Sequence, residues 1–293
     1  MSGASESVAI PDAPPARGGV VAFLRRHPTV VIGCALLLAI VIASLAAPWL
    51  GTVDPISINP GQRLKSPSAE YWFGTDRFGR DLYSRVIYGG RISLIVGISV
   101  AALATVIGLA IGLVSGYLRA VDAVVMRVMD GMMAIPAIML AIALIALSKA
   151  SVLIVIIAVA LPEIPRVVRL VRAIVLTIRE QPYIEAATAT GTSLPRILLR
   201  HLLPNALPPL IVQATYICAS AVLIEAALSF LGAGTPPEVP SWGNIMAEAR
   251  PYFQLKPMMV LLPGIFLAVT VLAINLVGDG LRDMLDPRLA RKM

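Results

Sequence analysis

Apolar residues along this chain gather into six runs, roughly 29–50, 92–117, 123–148, 151–175, 206–231 and 258–278. Each run is near the ~20 residues that a helix needs to cross a bilayer core, allowing for tilt and polar ends. The pattern therefore predicts an all-α integral membrane protein with about six transmembrane helices. Ser148-Lys149-Ala150 alone joins the third and fourth runs, so those two are expected to form a tight antiparallel pair. The fourth run is the weakest: its apolar stretch goes from Ser151 to Leu161 and then meets Pro162, Glu163 and Pro165, so its inner half is expected to be packed on protein or interfacial. The polar positions divide the chain further. Residues 1–28 lack apolar periodicity and read as a disordered cytoplasmic tail. Residues 29–91 hold the first span and an external segment. Residues 92–281 form a five-helix core interrupted by a long loop at 176–205, and 282–293 read as a second cytoplasmic tail.

Composition sharpens this picture. The chain is 58% hydrophobic and 14% charged, with a mean hydropathy of +0.84, outside the range of soluble domains. The formal charge of +7 sits in Arg residues at the edges of apolar runs and not in a continuous basic face. That favours contact with membrane lipid and excludes nucleic acid as the expected partner. Arg25 and Arg26 before the run 30–50 resemble the start of a secretory signal, but the run is long enough to span and be retained. Cys34 and Cys218 lie in apolar segments without a metal or disulfide spacing and are expected to be buried, inert thiols. The excess of Arg at alternate loops, including Arg119, Arg166, Arg169, Arg172, Arg179, Arg196 and Arg200, puts both termini in the cytoplasm. The 51–91 segment then lies outside with Arg63, Lys65, Arg77, Arg80, Arg85 and Arg91, against the usual rule.

The 176–205 loop carries the most pointed chemistry. Glu185, Ala186 and Ala187 favour helix, and Gly191 both weakens it and tolerates a positive φ, so a turn is expected there. Thr192 or Ser193 can then cap a second helix, with Pro195 in its first turn and Pro204 stopping it near Leu203. The small side chains leave a flat face for close approach by a partner; an amphipathic helix lying on lipid is the plainer alternative. Glu185-Ala186-Ala187, Gly191, and Leu203-Pro204 together resemble the EAA loop of ABC importer permeases. The resemblance implies a type I importer permease fold in which this loop is a coupling helix seated in a cleft of a cytoplasmic ATPase. His201 stands where many members have an aliphatic residue and the peptide-transport branch has His.

Three other segments narrow the branch. Phe73-Gly74-Thr75-Asp76, Gly79-Arg80-Asp81, Ser84-Arg85 and Gly89-Gly90-Arg91 resemble the external segment of the C-type permease subunit of dipeptide and oligopeptide importers. Leu228 to Gly232 with Pro240-Ser241-Trp242-Gly243-Asn244, and Asn275 to Asp283 with Asp286-Pro287, resemble later parts of the same subunit. Nickel and glutathione importers share much of the pattern. On physical grounds Gly74, Gly79, Gly89 and Gly90 make the outer segment rich in turns. Asp76, Arg80, Asp81 and Arg85 then either satisfy one another as ion pairs or meet a substrate-delivering protein. Trp242 is expected at the outer membrane interface.

Glu225 is the acid set well inside an apolar run, which makes it a functional candidate unless a neighbouring hydroxyl or Arg satisfies it or water reaches it. Arg127 with Asp130, and Asp279 with Arg282, are expected to pair at i, i+3. Arg166, Arg169 and Arg172 are expected to form a solvated or snorkelling face. Met126, Met129, Met132 and Met133 follow helical spacing and read as packing.

The chain has no phosphate-cradling G-x-x-x-x-G-K-[ST] run. No catalytic residue, metal or cofactor is assigned to it, and it is expected to be a non-catalytic permease subunit. The resemblance implies a homologous B-type permease, two cytoplasmic ATPase subunits that bind ATP and Mg, and an extracytoplasmic substrate-binding protein. The expected place is the bacterial inner membrane. A secondary transporter would want paired broken helices or midplane ionisable groups, with no internal repeat apparent here. An intramembrane enzyme would want a metal cluster, whereas His27 and His201 stand far apart and no H-E-x-x-H exists.

Overall fold

The computed structural model describes residues 28–148 and 151–285; both predicted tails fall largely outside them, and residues 282–285, placed in the second tail, belong to the last helix. The architecture is all-helical apart from one isolated backbone bridge between Thr75 and Asp81. Helix α1, Pro28–Leu45, leads into an irregular segment, residues 46–81, with short 3-10 turns at Ala47–Trp49 and Pro60–Gln62. Helix α2, Leu82–Tyr117, is followed by α3, Arg119–Met133, and α4, Ala137–Ala146. Next come α5, Val152–Ala160, and α6, Ile164–Arg179. The short helix α7, Pro182–Ala189, precedes α8, Leu194–Phe230. Helices α9, Trp242–Ala249, and α10, Met258–Leu285, complete the bundle.

Four helices, α1, α2, α8 and α10, are long and apolar enough to cross a membrane, and a fifth span arises if α3 and α4 count as one. Six uninterrupted runs in sequence thus become fewer continuous helices. The run 123–148 bends by 85° between α3 and α4, where Pro136 removes an amide donor and its ring opposes helical continuation. The run 151–175 breaks at Leu161 to Glu163, around Pro162. It divides into a nine-residue apolar helix and the amphipathic α6.

The core is built on the crossing of α2 with α6. Gly108, Gly112 and Gly116 recur every fourth residue on one face of α2. Cβ atoms placed there would come within 2.5, 2.7 and 2.8 Å of the Cβ atoms of Val167, Val171 and Val175. Backbone and branched side chain therefore meet directly, the small-residue contact by which helices associate where lipid removes the hydrophobic drive. The three valines are fully buried, while Arg166, Arg169 and Arg172 point the other way. They do not form a bare snorkelling face: Arg166 pairs with Glu163 at 2.9 Å, Arg169 with Asp130 at 2.5 Å and Arg172 with Asp122 at 2.5 Å. Asp130 thus bonds α6 across the helix pair and not Arg127 on its own helix. Of the methionines on α3, Met129 is buried and Met126 and Met132 pack against the same core, while Met133 is exposed.

Helix α2 begins ten residues before the predicted span, so the expected boundary at 91/92 falls inside it. Asp81 caps it, its Oδ2 accepting from the Ser84 amide at 2.9 Å and from Ser84 Oγ at 2.5 Å. Gly89 and Gly90 are consequently helical and not turn residues; they form a notch against which Trp242 and Ser44 pack. Arg91 fastens α1 beside this notch, donating to the Ser44 and Leu45 carbonyls at 2.5 and 2.8 Å. Cys34 is exposed on α1 and Cys218 is half-buried, so neither is the enclosed thiol expected from its apolar surroundings. A thiol on the outer face of an apolar helix looks the same in sequence as one turned inward.

Candidate functional site

The antiparallel helices sort the singled-out residues into two ends and one buried centre. At one end α7 projects from the termini of α2 and α6. Ile184, 2% exposed, anchors it, while Glu185 and Ala186 are exposed and Ala187 is half-buried. A cavity of about 590 Å³ lies beside this face, lined by Tyr117, Arg119, Arg179, Glu185 and Thr188 among others. Arg179 donates to the Gly116 carbonyl at 3.2 Å, tying the end of α6 to the end of α2.

Gly191 closes α7 at φ 77°. The Thr192 amide reaches the Ala187 carbonyl at 3.0 Å and the Gly191 amide reaches Thr188 at 3.0 Å, the pair of bonds that lets a left-handed glycine end a helix. Ser193 then stands at the start of α8, with Pro195 in the first turn and no side-chain cap. The expected stop at Leu203-Pro204 does not occur. A π-helical turn, Ile197–Leu202, widens the backbone ahead of Pro204, and the helix continues to Phe230 through Pro208 and Pro209. The widened turn lets the helix go on past a proline that has no amide to donate. His201, half-buried, sits with its ring 6.2 Å from that of Tyr183, which brings the two arms of the loop together. Ile184 and Tyr183 were not singled out in the sequence, and Arg179 was read there only as one of the bases that set orientation.

At the opposite end the 46–81 segment folds onto α9. Asp76 accepts from Arg80 Nε at 2.5 Å and from the Phe78 and Arg80 amides at 2.8 and 3.0 Å. Arg80 also pairs with Glu248 on α9, and Arg85 stands 3.2 Å from Glu248 and 3.5 Å from Asp76. This knot of four is almost closed to solvent. Phe78 lies beneath the guanidinium groups of Arg77 and Arg80, at 4.4 and 4.6 Å. Thr75 Oγ1 donates to the Gln62 carbonyl and accepts from the Lys65 amide at 2.8 Å. Gly74 and Gly79 hold φ of 79° and 77°, and a Cβ on Gly79 would strike the Asn59 carbonyl. Asp81 stands apart from the knot at the α2 cap. Glu248 escaped the sequence reading because its partners lie more than 160 residues away. Trp242 is not at an interface: it is completely buried, with Nε1 donating to the Val86 carbonyl at 2.9 Å.

Between the ends, Glu225 is fully buried on α8. Its carboxylate accepts from Ser229 Oγ at 2.8 Å and from Ser93 Oγ of α2 at 3.3 Å. Ser229 continues to Thr235, Ser241 and Asn244, and Asn244 Nδ2 donates to the carbonyls of Thr235, Pro236 and Val239 at 2.9 to 3.1 Å. Glu225 is therefore held by hydroxyls in a network that joins α8, α2 and α9, a satisfied arrangement for an acid placed so deep. Asp279 accepts from the Tyr216 hydroxyl at 2.7 Å. Among the described residues no group of three or more His, Cys, Asp or Glu side chains is placed to hold a metal ion.

The comparisons accord with these features. Residues 82–291 match the family model described as binding-protein-dependent transport system inner membrane component. Residues 20–67 match the N-terminal TM domain of oligopeptide transport permease C. A relative from Sinorhizobium fredii, named a probable peptide ABC transporter permease, is 53% identical over 93% of this chain and 94% of its own. The dipeptide transport system permease DppC of Alkalihalophilus pseudofirmus is 39% identical over 91% of this chain and 88% of its own. In fold, the chain resembles a subunit of the inward-facing MetNI methionine ABC transporter, with a TM-score of 0.54, 22% identity, and coverage of 69% of this chain and 96% of that one. With a model match over its larger part and relatives aligned along nearly their whole length, the chain belongs to the family of binding-protein-dependent transport system inner membrane components, the membrane-spanning permease subunits of ABC importers.

Proposed function

We propose that this chain is the C-type permease subunit of an importer of di- and oligopeptides, working with a homologous B-type permease, two cytoplasmic ATPases that bind ATP and Mg, and an external binding protein. The cargo rests on the names of its relatives, which are peptide and dipeptide permeases. The mechanism rests on one observation above all: α7 offers Glu185 and Ala186 to solvent while Ile184 holds it to the bundle, immediately before a helix that continues through the whole molecule.

In this reading residues 176–205 are the docking loop. Glu185, Ala186 and Ala187 form the face seated against an ATPase, Gly191 sets the turn, and His201, Leu203 and Pro204 lie on the return arm. Nucleotide-driven closure of the ATPases moves α7, and α8 passes the movement toward the knot at the other end. Both termini are cytoplasmic and the 46–81 segment is external. Three of the bases at that external end weigh little against this orientation, because Arg80 and Arg85 are held in buried ion pairs and Arg91 is held by carbonyls. Bases engaged in this way are not free to meet anionic headgroups, the attraction that the topology rule reflects.

The test is ATP-dependent uptake of a labelled dipeptide into vesicles carrying the assembled transporter and its binding protein. Gly191→Pro and Glu185→Lys are expected to abolish uptake while the complex still assembles. Uptake that ignores both ATP and the two substitutions would overturn the reading.

A further inference from the structure

The charges along α6 stand at a depth where lipid would be expected. Helix α2 carries no charged residue from Ile92 to Leu118, about 40 Å of helix set against a hydrocarbon core of ~30 Å. Val167 and Val171 of α6 meet this stretch at Gly108 and Gly112. Arg166 is therefore level with Gly108, about 15 Å of helix in from Leu118, and Arg169 follows one turn nearer the docking loop. The fold does not enclose them: the side chain of Arg166 is 52% exposed, that of Arg169 45% and that of its partner Asp130 58%.

These charges belong to two stripes that the Arg169–Asp130 pair joins. On α6 the buried valines take one side, and Arg166, Arg169 and Ala173, spaced i, i+3 and i+7, are left exposed or nearly so on the other. On α3 Met129 faces the core, while Arg127, Asp130 and Ala134 repeat the same spacing on an exposed flank. Lipid is a poor neighbour for this face, because ionised side chains at such depth are costly away from water. A tightly packed subunit is a poor one too. It would strip water from charges that already have their partners, and from Arg127, which has no ion pair among the described residues.

We infer that the joined face of α3 and α6 is a wall of the water-filled passage through which cargo leaves, and that Arg127 there receives a carboxylate of the cargo. Charge selects the ligand class: Arg166, Arg169 and Arg172 each have an acid of this chain, so the base left over suits an anionic group that arrives from outside it. The small side chains of Ala134 and Ala173 leave room beside the charges. That the cargo is a peptide rests on the import reading, whereas the wet wall is tested without cargo.

The experiment measures thiol labelling in the assembled transporter in nanodiscs, without binding protein, nucleotide or peptide. Cys34 and Cys218 are replaced by alanine, and single cysteines are introduced by Ala134→Cys, Ala173→Cys and, as the control, Val128→Cys, at a position 52% exposed on the other flank of α3. The probe is methanethiosulfonate ethylammonium, which modifies a thiol where water can ionise it. The first two are expected to react at least tenfold faster than the control. Rates as slow as the control's, or a disulfide formed with the partner permease, would overturn the wall by giving the face to lipid or to protein. Equally fast labelling at all three positions would overturn it by placing α3 outside the bilayer. In the uptake assay Arg127→Gln is expected to raise the KM for labelled dipeptide about three- to tenfold with the maximal rate kept, and Arg127→Lys to restore it; an unmoved KM would overturn the role of Arg127. Fast labelling in a complex that takes up no dipeptide would sink the import reading and uphold the wall.

Discussion

At the scale of single residues, the knot of Asp76, Arg80, Arg85 and Glu248 shows how much can depend on one acid. Removing a partner from a buried pair strands the opposite charge at a cost of about 3–5 kcal/mol. Glu248→Ala should therefore lower the midpoint of thermal unfolding in detergent far more than Glu238→Ala, a neighbouring acid with no ion pair among the described residues. Gly191 makes a subtler case. It stands in open space at a positive φ, so Gly191→Ala meets no clash and costs about 1–2 kcal/mol of backbone strain alone. Gly191→Asn should cost less, because asparagine visits this conformation more readily; the two variants ranked by unfolding temperature test the point. Positive φ at Gly191 was legible because glycine after a helix-forming run has one common use. Glu248 was not, since nothing local distinguishes an acid that will meet two arginines across the fold from one that meets water. Trp242 was misplaced for a related reason: an aromatic residue near a span end suits an interface and a buried notch equally, and the glycines that make the notch lie 150 residues earlier.

Among elements, the crossing of α2 and α6 is held by shape. Gly112→Val would press a branched side chain into Val171 and should cost about 1–3 kcal/mol or more by overpacking. Gly131→Val on α3, where nothing lies within 4 Å, should be near neutral, and paired unfolding curves of the two variants are the check. The repeat of glycine at every fourth position was visible in the sequence, but the division into spans passed over it, because span length is a property of one run and a crossing is a property of two. Helix breaks were legible in kind through Pro136 and Pro162, and the 85° turn that follows from the first was not, because proline announces an interruption without its angle. Pro204 misled in the opposite direction: the wide turn before it is set by the geometry of the neighbouring backbone and has no sequence mark of its own.

For the whole molecule, the predicted division into two faces has a direct test. With Cys34 and Cys218 replaced by alanine, Ser57→Cys should react with an impermeant maleimide added outside intact cells. Ala189→Cys should react only after the membrane is opened, and the reverse pattern would invert the proposed topology. The membrane class was legible from hydropathy, and the permease family from a short motif in its place. The exact make-up of the partners was not, since a surface made to fit another chain is half of a shape. One feature has mechanical weight at this scale. Helix α8 runs over 37 residues from the return arm of the loop to Phe230, with a π-helical turn near its start, about 55 Å at the rise of an α-helix. Such a helix acts as a lever: a pivot of about 5° near its loop end would sweep the far end through about 5 Å. The Glu225 network then becomes the grip by which that end carries α9 with it, so small angular changes at the loop would arrive at the far end of the bundle as displacements on the scale of a side chain.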